Sequence, residues 1–120
     1  MGKRILIVDD SPTEIEIMKK AVDGSDYELI TASNGDQAIK KCIELKPDLV
    51  LLDVVMPVRD GFSVCRELKK NPETKDIKII IVTSKNKPLD EQWSLRQGAD
   101  SYIAKPFEPT ELSTAVAQMI

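Results

Sequence analysis

Pro47-Asp48-Leu49-Val50-Leu51-Leu52-Asp53-Val54-Val55-Met56-Pro57 decides the fold. Leu49 to Leu52 is a purely aliphatic run, too short for a helix and without the polar alternation of a strand that has one wet face. Such a run reads as a central strand of a parallel sheet, covered on both sides. Pro47 stops whatever precedes it. Pro57 and Gly61 punctuate the loop that follows. Asp53 therefore stands where the strand ends, at the mouth of a loop.

Working outward, four more runs share this character. Arg4 to Val8 and Ile79 to Val82 read as buried strands, and Ser101 to Ala104 as the last strand. Tyr27 to Ala32 is more mixed and suits a sheet edge. Helical patterns lie between them. Ser11 is an N-cap, with Pro12 at the first helical position and Glu14 completing a capping box. Ile15, Met18 and Val22 form the inner stripe of that helix, and Gly24 ends it. Asn34-Gly35 leads into a second helix with Ala38, Ile39, Cys42 and Leu45 inward. Phe62 to Lys70 follows, with Cys65 and Leu68 on the apolar side. Pro88 to Gln97 carries Asp90 and Glu91 in its first turn, where the helix dipole favours acids, and closes at Gly98. Glu108 to Met119 is the last helix. Strands alternating with helices require crossover connections, so the expected class is α/β, a doubly wound five-stranded parallel sheet with helices on both faces. The flavodoxin-like order 2-1-3-4-5 is a common one at this size and is taken as the expectation. One domain over 1–120 accounts for the length.

Composition narrows the function. The net charge is −3, which gives no electrostatic reason to bind nucleic acid or an anionic membrane. The longest uninterrupted apolar runs, Ile5–Val8, Leu49–Leu52 and Ile79–Val82, fall far short of the ~20 of a membrane span. The start of the chain has no signal-peptide character, so a cytoplasmic location is expected. Histidine is absent, which removes Ser-His-Asp and Cys-His chemistry and most zinc sites. Cys42 and Cys65 fall at apolar helical positions and read as buried free thiols rather than a disulfide or metal pair.

In open α/β sheets, sites form outside the carboxyl ends of the strands. The first strand ends in Asp9-Asp10, the third in Asp53, the fourth in Thr83-Ser84 and the fifth in Lys105. Each has an ordinary structural explanation: Asp9 and Asp10 as turn or cap residues, Asp53 as a loop cap, Thr83 as a strand-end residue, Lys105 as a solvated charge. Their shared position argues for a site. Two carboxylates ~4 Å apart repel by roughly 4 kcal/mol at an effective dielectric near 20. Three in one crevice require a cation or raised pKa values. Lys105 supplies one charge, and a hard divalent ion, Mg²⁺ rather than Ca²⁺, suits the rest. A carboxylate nucleophile beside a metal and a lysine points to phosphoryl transfer onto Asp53, with Thr83 free to hydrogen-bond a phosphoryl oxygen.

These residues resemble the receiver domain of two-component response regulators. The resemblance runs through Ile7-Val8-Asp9-Asp10-Ser11, Pro47 to Pro57, Asp60-Gly61, Val82-Thr83-Ser84, Gln97-Gly98-Ala99-Asp100, Tyr102 and Lys105-Pro106-Phe107. It implies that Asp53 is the phosphorylated residue, that Asp10 binds the metal directly with Asp9 often acting through water, and that the Val55 backbone carbonyl completes the ligand set. It makes Thr83 the switch hydroxyl, Tyr102 the switch aromatic, Lys105 the phosphate-binding lysine with a cis bond to Pro106, and the fourth helix, fifth strand and fifth helix the output face. Phosphorylation, adding about −1.5 to −2 charge at Asp53, would pull Thr83 and Lys105 inward and let Tyr102 fill the space vacated as the loop after the fourth strand repacks. A sensor histidine kinase is the implied phosphodonor and a protein in trans the implied output target. The chain would then be no enzyme beyond its own aspartyl phosphorylation and dephosphorylation. Similarity is strongest to stand-alone regulators of the chemotaxis kind. Thr83-Ser84-Lys85, Trp93 and Arg96 to Ala99 are similar to regulators of twitching motility or phototaxis. Helical spacing from Leu89 predicts partial burial for Trp93 ahead of partner contact.

Two positions depart from many members of that family. Val55 replaces a polar side chain that helps manage the hydrolytic water, and Lys85 stands where some relatives carry an acid. Self-dephosphorylation is therefore expected to differ from the chemotaxis prototype. Three other readings compete. A dehalogenase-type phosphatase would need an acid at position 55 to shuttle protons. A flavodoxin-like cofactor binder would need a phosphate-cradling loop where Asp9-Asp10-Ser11-Pro12 stands. A docking module without phosphorylation would have no use for the intact aspartates, Thr83 and Lys105.

Overall fold

The computed structural model describes residues 2–23 and 26–120. Ten elements alternate along the chain: β1 Lys3–Val8, α1 Pro12–Val22, β2 Tyr27–Ala32, α2 Gly35–Leu45, β3 Leu49–Leu52, α3 Gly61–Lys70, β4 Lys78–Thr83, α4 Pro88–Arg96, β5 Ser101–Ala104 and α5 Pro109–Met119. The strands form one parallel sheet in the order β2-β1-β3-β4-β5. The aliphatic run at 49–52 is its fully buried centre, and mixed β2 lies at an edge as expected.

Strand alternation divides the core in two. Leu6, Val8, Val50, Leu52, Ile79 and Ile81 point to the side covered by α2 and α3. Ile5, Ile7, Leu49, Leu51, Ile80 and Val82 point to the side covered by α1 and α5, whose Met18, Leu112 and Val116 meet them. Successive strand residues facing opposite ways is the period-2 geometry of the pleat. Each fully buried Leu or Ile stabilises by about 1.5–3 kcal/mol, and truncating one such as Ile80 to Ala costs about 2–5 kcal/mol.

Local chemistry sets the helix ends. The Ser11 side chain accepts from the Glu14 N–H at 3.3 Å, Asn34 from Gln37 at 2.9 Å, and Asp60 from Ser63 at 2.9 Å. After α4 the chain turns through Gly98 at φ 104°, where a β-carbon would also press on the Lys69 side chain. The Gly24 terminus expected for α1 lies outside the described residues.

Two details differ from the sequence reading. Leu45 does not point inward but is 37% exposed. It is the last residue of α2, and its carbonyl meets the Arg4 guanidinium at 3.1 Å. At that end β1 begins with exposed Lys3 and Arg4, so there is no core for Leu45 to enter. The α1 capping box is only half made. The Ser11 N–H donates to Asp9 Oδ1 at 3.0 Å, which leaves the Glu14 carboxylate free to go elsewhere. Cys42 and Cys65 are buried free thiols, pushed up by burial to about 12 and about 11.

Candidate acidic centre

Backbone pairing brings the strand ends level. Val8 lies opposite Leu52, and Leu52 opposite Ile81, so Thr83 projects two residues further. The ladder continues past the strands: the Asp53 N–H donates to the Val8 carbonyl at 3.0 Å and the Lys105 N–H to the Thr83 carbonyl at 2.8 Å. These bonds fix where the candidate site side chains start. Gly61 secures the same corner from beneath. Its N–H donates to the Val54 carbonyl at 2.9 Å, and a β-carbon there would fall on the Asp53 carbonyl oxygen, well inside contact distance.

Asp9, Asp10, Asp53, Val55, Ser84 and Lys105 line one cleft of about 530 Å³. One carboxylate oxygen from each of Asp9, Asp10 and Asp53 lies within 4.8 Å of the others. Asp9 and Asp53 are buried, and Asp10 faces solvent. The Lys105 ammonium donates to Asp9 Oδ2 at 2.6 Å and pairs with Glu14 Oε1 at 3.1 Å, while Asp53 Oδ2 stands 4.0 Å away. Burial pushes the Asp53 carboxyl above its ordinary 3.8 and the Asp9 charge adds to this. Lys105, Thr83 and the Val55 N–H, which donates to Asp53 Oδ1 at 3.4 Å, offset only part of the rise. Burial alone would lower the Lys105 ammonium, but its bond to Asp9 and the charges of Asp53 and Asp9 outweigh that and hold it above 10.5.

Three carboxylates opening on one space, with only oxygen donors, suit a hard divalent cation. The two Asp9 oxygens serve different neighbours, Oδ1 accepting from the Ser11 N–H and Oδ2 from Lys105. Among the described residues, this is the group of acids so arranged that they could hold a metal ion.

The response regulator receiver domain model matches residues 5–117. The chain belongs to the response regulator receiver family. Protein PilH of Pseudomonas aeruginosa is 42% identical over 91% of this receiver and 90% of its own length. The alkaline phosphatase synthesis transcriptional regulatory protein PhoP of Bacillus subtilis is 38% identical over all of this receiver but 49% of its own length. Five of the six curated relatives compared are about twice as long as the receiver. Among solved structures, the chemotaxis protein CheY4 of Vibrio cholerae superimposes with a TM-score of 0.91 at 27% identity, each chain covering all of the other.

Of the residues singled out from the sequence, Asp9, Asp10, Asp53, Val55 and Lys105 line the receiver's cleft together. Thr83 sits behind it, fully buried, with its hydroxyl accepting from the Lys85 N–H at 3.3 Å. Tyr102 lies apart, packed against the α2/α3 side of the core. Its hydroxyl is buried without a hydrogen-bond partner among the described residues. The Lys105-Pro106 bond is cis. Trp93 is 48% exposed and sets its ring edge-on to Phe62, with centroids 6.4 Å apart. Sequence reasoning missed Glu14 as a site residue. Its place in the first turn of a helix leaving an acidic strand end was visible, but a capping role explained it locally. Among the described residues, no helix is long and apolar enough to cross a membrane.

Proposed function

We propose that this receiver accepts a phosphoryl group on Asp53 from a sensor histidine kinase, and that the change alters the affinity of the α4-β5-α5 face for a protein partner in trans. The observation that carries the reading is the placement of Asp53: buried, 4.0 Å from the Lys105 ammonium and sharing a cleft with Asp9 and Asp10. An Asp53 oxygen attacks phosphorus, the phosphorus–nitrogen bond of the donor phosphohistidine breaks, and the imidazole leaves with the electron pair and takes up a proton. Asp9, Asp10, Asp53 and the Val55 carbonyl are the ligands we assign to Mg²⁺, which when bound neutralises charge on the transferred oxygens. Lys105 moves from Asp9 toward the new phosphoryl group, and Thr83 donates its hydroxyl to a phosphoryl oxygen.

The consequence for the output face follows from the pleat. Thr83 and Tyr102 belong to the same side of the sheet as Ile79 and Ile81, and α4 packs over β5. A shift of Thr83 draws on the segment at 84–87 that leads into α4. The Tyr102 hydroxyl, without a partner among the described residues, supports a side chain with a second position available to it. On α4, Leu89, Trp93 and Leu95 are exposed, which supports a protein-binding role for that face. Similarity to the chemotaxis protein CheY4 supports taxis as the setting. Val55 and Lys85 line a shallow cleft beside the acidic centre. We assign them a part in setting the hydrolysis rate of the aspartyl phosphate, and an unchanged rate in Val55→Asn argues against that part.

Intact-mass spectrometry after incubation with Mg²⁺ and acetyl phosphate tests the main reading. One phosphoryl adduct is expected in the wild type, absent without metal and absent in Asp53→Asn. A folded protein that takes no adduct under any condition, including with a kinase, overturns it in favour of a docking module.

A further inference from the structure

The proposed chemistry needs Lys105 at Asp53, yet the ammonium is held elsewhere. It stands 2.6 Å from Asp9 and 3.1 Å from Glu14, against 4.0 Å from Asp53. The Asp9 contact can be released when that carboxylate turns to a metal. The Glu14 contact cannot be released in this way, because Glu14 is not among the acids grouped for metal binding. The pleat explains how it arises: the alternation that sends Ile103 to the α1/α5 side carries Lys105 toward the first turn of α1. The missing half of the capping box explains why the Glu14 carboxylate is available. Asp9 has taken the Ser11 N–H that Glu14 would otherwise accept from.

We infer that Glu14 is a positioning residue that tethers Lys105 away from the phosphoacceptor in the resting state and slows phosphorylation. The inference rests on the reading of Asp53 above. An interaction made in the ground state and lost in the transition state raises the barrier by its own strength. A phosphoryl group on Asp53, with about −1.5 to −2 charge, then outcompetes the single charge of Glu14 for the lysine. The tether thus opposes accidental phosphorylation by small phosphodonors without trapping the phosphorylated state. The Glu14 side chain is about one-third exposed, and its backbone N–H, not its carboxylate, receives the Ser11 cap, so its replacement leaves α1 intact.

The test compares initial phosphorylation rates from acetyl phosphate and Mg²⁺ in wild type, Glu14→Gln, Glu14→Met and Glu16→Gln. Glu16 lies on the same helix but pairs with Lys19, so its variant changes net charge equally without touching Lys105. The expected result is a rate about three- to fivefold higher in Glu14→Met, the scale of one partly exposed ion pair, with Glu14→Gln between it and wild type and Glu16→Gln near wild type. The Lys105 ¹³Cε resonance should move in both Glu14 variants and stay in place in Glu16→Gln. Equal or slower rates in the Glu14 variants, or an equal gain in Glu16→Gln, overturn the inference. Failure of the wild type to take any phosphoryl group sinks the functional reading instead. In that case the slowing of phosphorylation falls with that reading, and a Lys105 resonance unmoved by Glu14 substitution overturns the tether itself as well.

Discussion

Asp53→Asn should stabilise the metal-free protein. At no more than 4.8 Å, the repulsion between Asp53 and each of Asp9 and Asp10 is about 3.5 kcal/mol or more at an effective dielectric near 20. Lys105 at 4.0 Å returns about 4 kcal/mol. Removing the Asp53 charge therefore favours the fold by about 3 kcal/mol before screening. Solvent around exposed Asp10 reduces this to about 1–2 kcal/mol. For a domain of this size that is about 4–10 °C in Tm. Asparagine keeps an oxygen for the Val55 N–H, so no hydrogen bond need be lost. The pH dependence has a definite sign. Because the folded Asp53 carboxyl lies above 3.8, the folded state holds this proton more tightly than the unfolded chain. Wild-type stability from this group is present below 3.8 and is lost as the pH rises through the raised folded value. The advantage of the variant is thus full at pH 7 and closes as the pH falls toward 3.8. The assay is thermal unfolding in chelator across pH 4–8, repeated with Mg²⁺. Added metal should raise wild type more than the variant and narrow the gap. A variant no more stable than wild type at pH 7 in chelator would show that the carboxylates do not strain the fold, and the electrostatic account of the centre would fail.

Three further outcomes follow from particular contacts. Tyr102→Phe removes a buried hydroxyl that lacks a partner among the described residues and should raise stability by about 1 kcal/mol, read as a higher urea midpoint; a lower midpoint means the hydroxyl is satisfied. Gly61→Ala drives a β-carbon into the Asp53 carbonyl and the Val54 backbone and should cost about 3 kcal/mol or more, whereas a loss under about 1 kcal/mol shows that this corner yields easily. Val58 is 87% exposed with φ 70°, a conformation poorly suited to a β-branched residue. Val58→Gly relieves that strain at some cost in unfolded-chain entropy and should gain about 0.5–1 kcal/mol, and equal or lower stability by denaturant titration counts against the strain.

Much of this fold was readable because burial and period agree. The aliphatic runs at 49–52 and 79–82 admit one interpretation, and Ser11, Asn34 and Gly98 mark helix ends by local chemistry. The acidic centre was readable for a related reason: residues at the carboxyl ends of β1, β3, β4 and β5 must converge once the sheet is parallel. What stayed hidden depends on contacts between distant segments. Glu14 meets Lys105 only because α1 covers the side of the sheet toward which the chain leaving β5 turns the Lys105 side chain. Leu45 has the spacing of a core residue and lacks only a core at its end of the helix. The strain at Val58 arises from the path the loop takes from Asp53 to Gly61, which no residue in that loop announces.

The helix α4 buries a single side chain completely, and that side chain is Ser94. Leu112 and Val116 anchor α5 far more firmly. A segment with so little apolar anchorage opens locally at low cost, and its amide hydrogens should exchange well before those of β3 or β4. The molecule is therefore unevenly built, with a stiff chassis that holds the chemistry and one loosely mounted lever. Sequence drift on that lever is cheap for the chassis, so under the proposed function one receiver body could present a different surface to each of many partners.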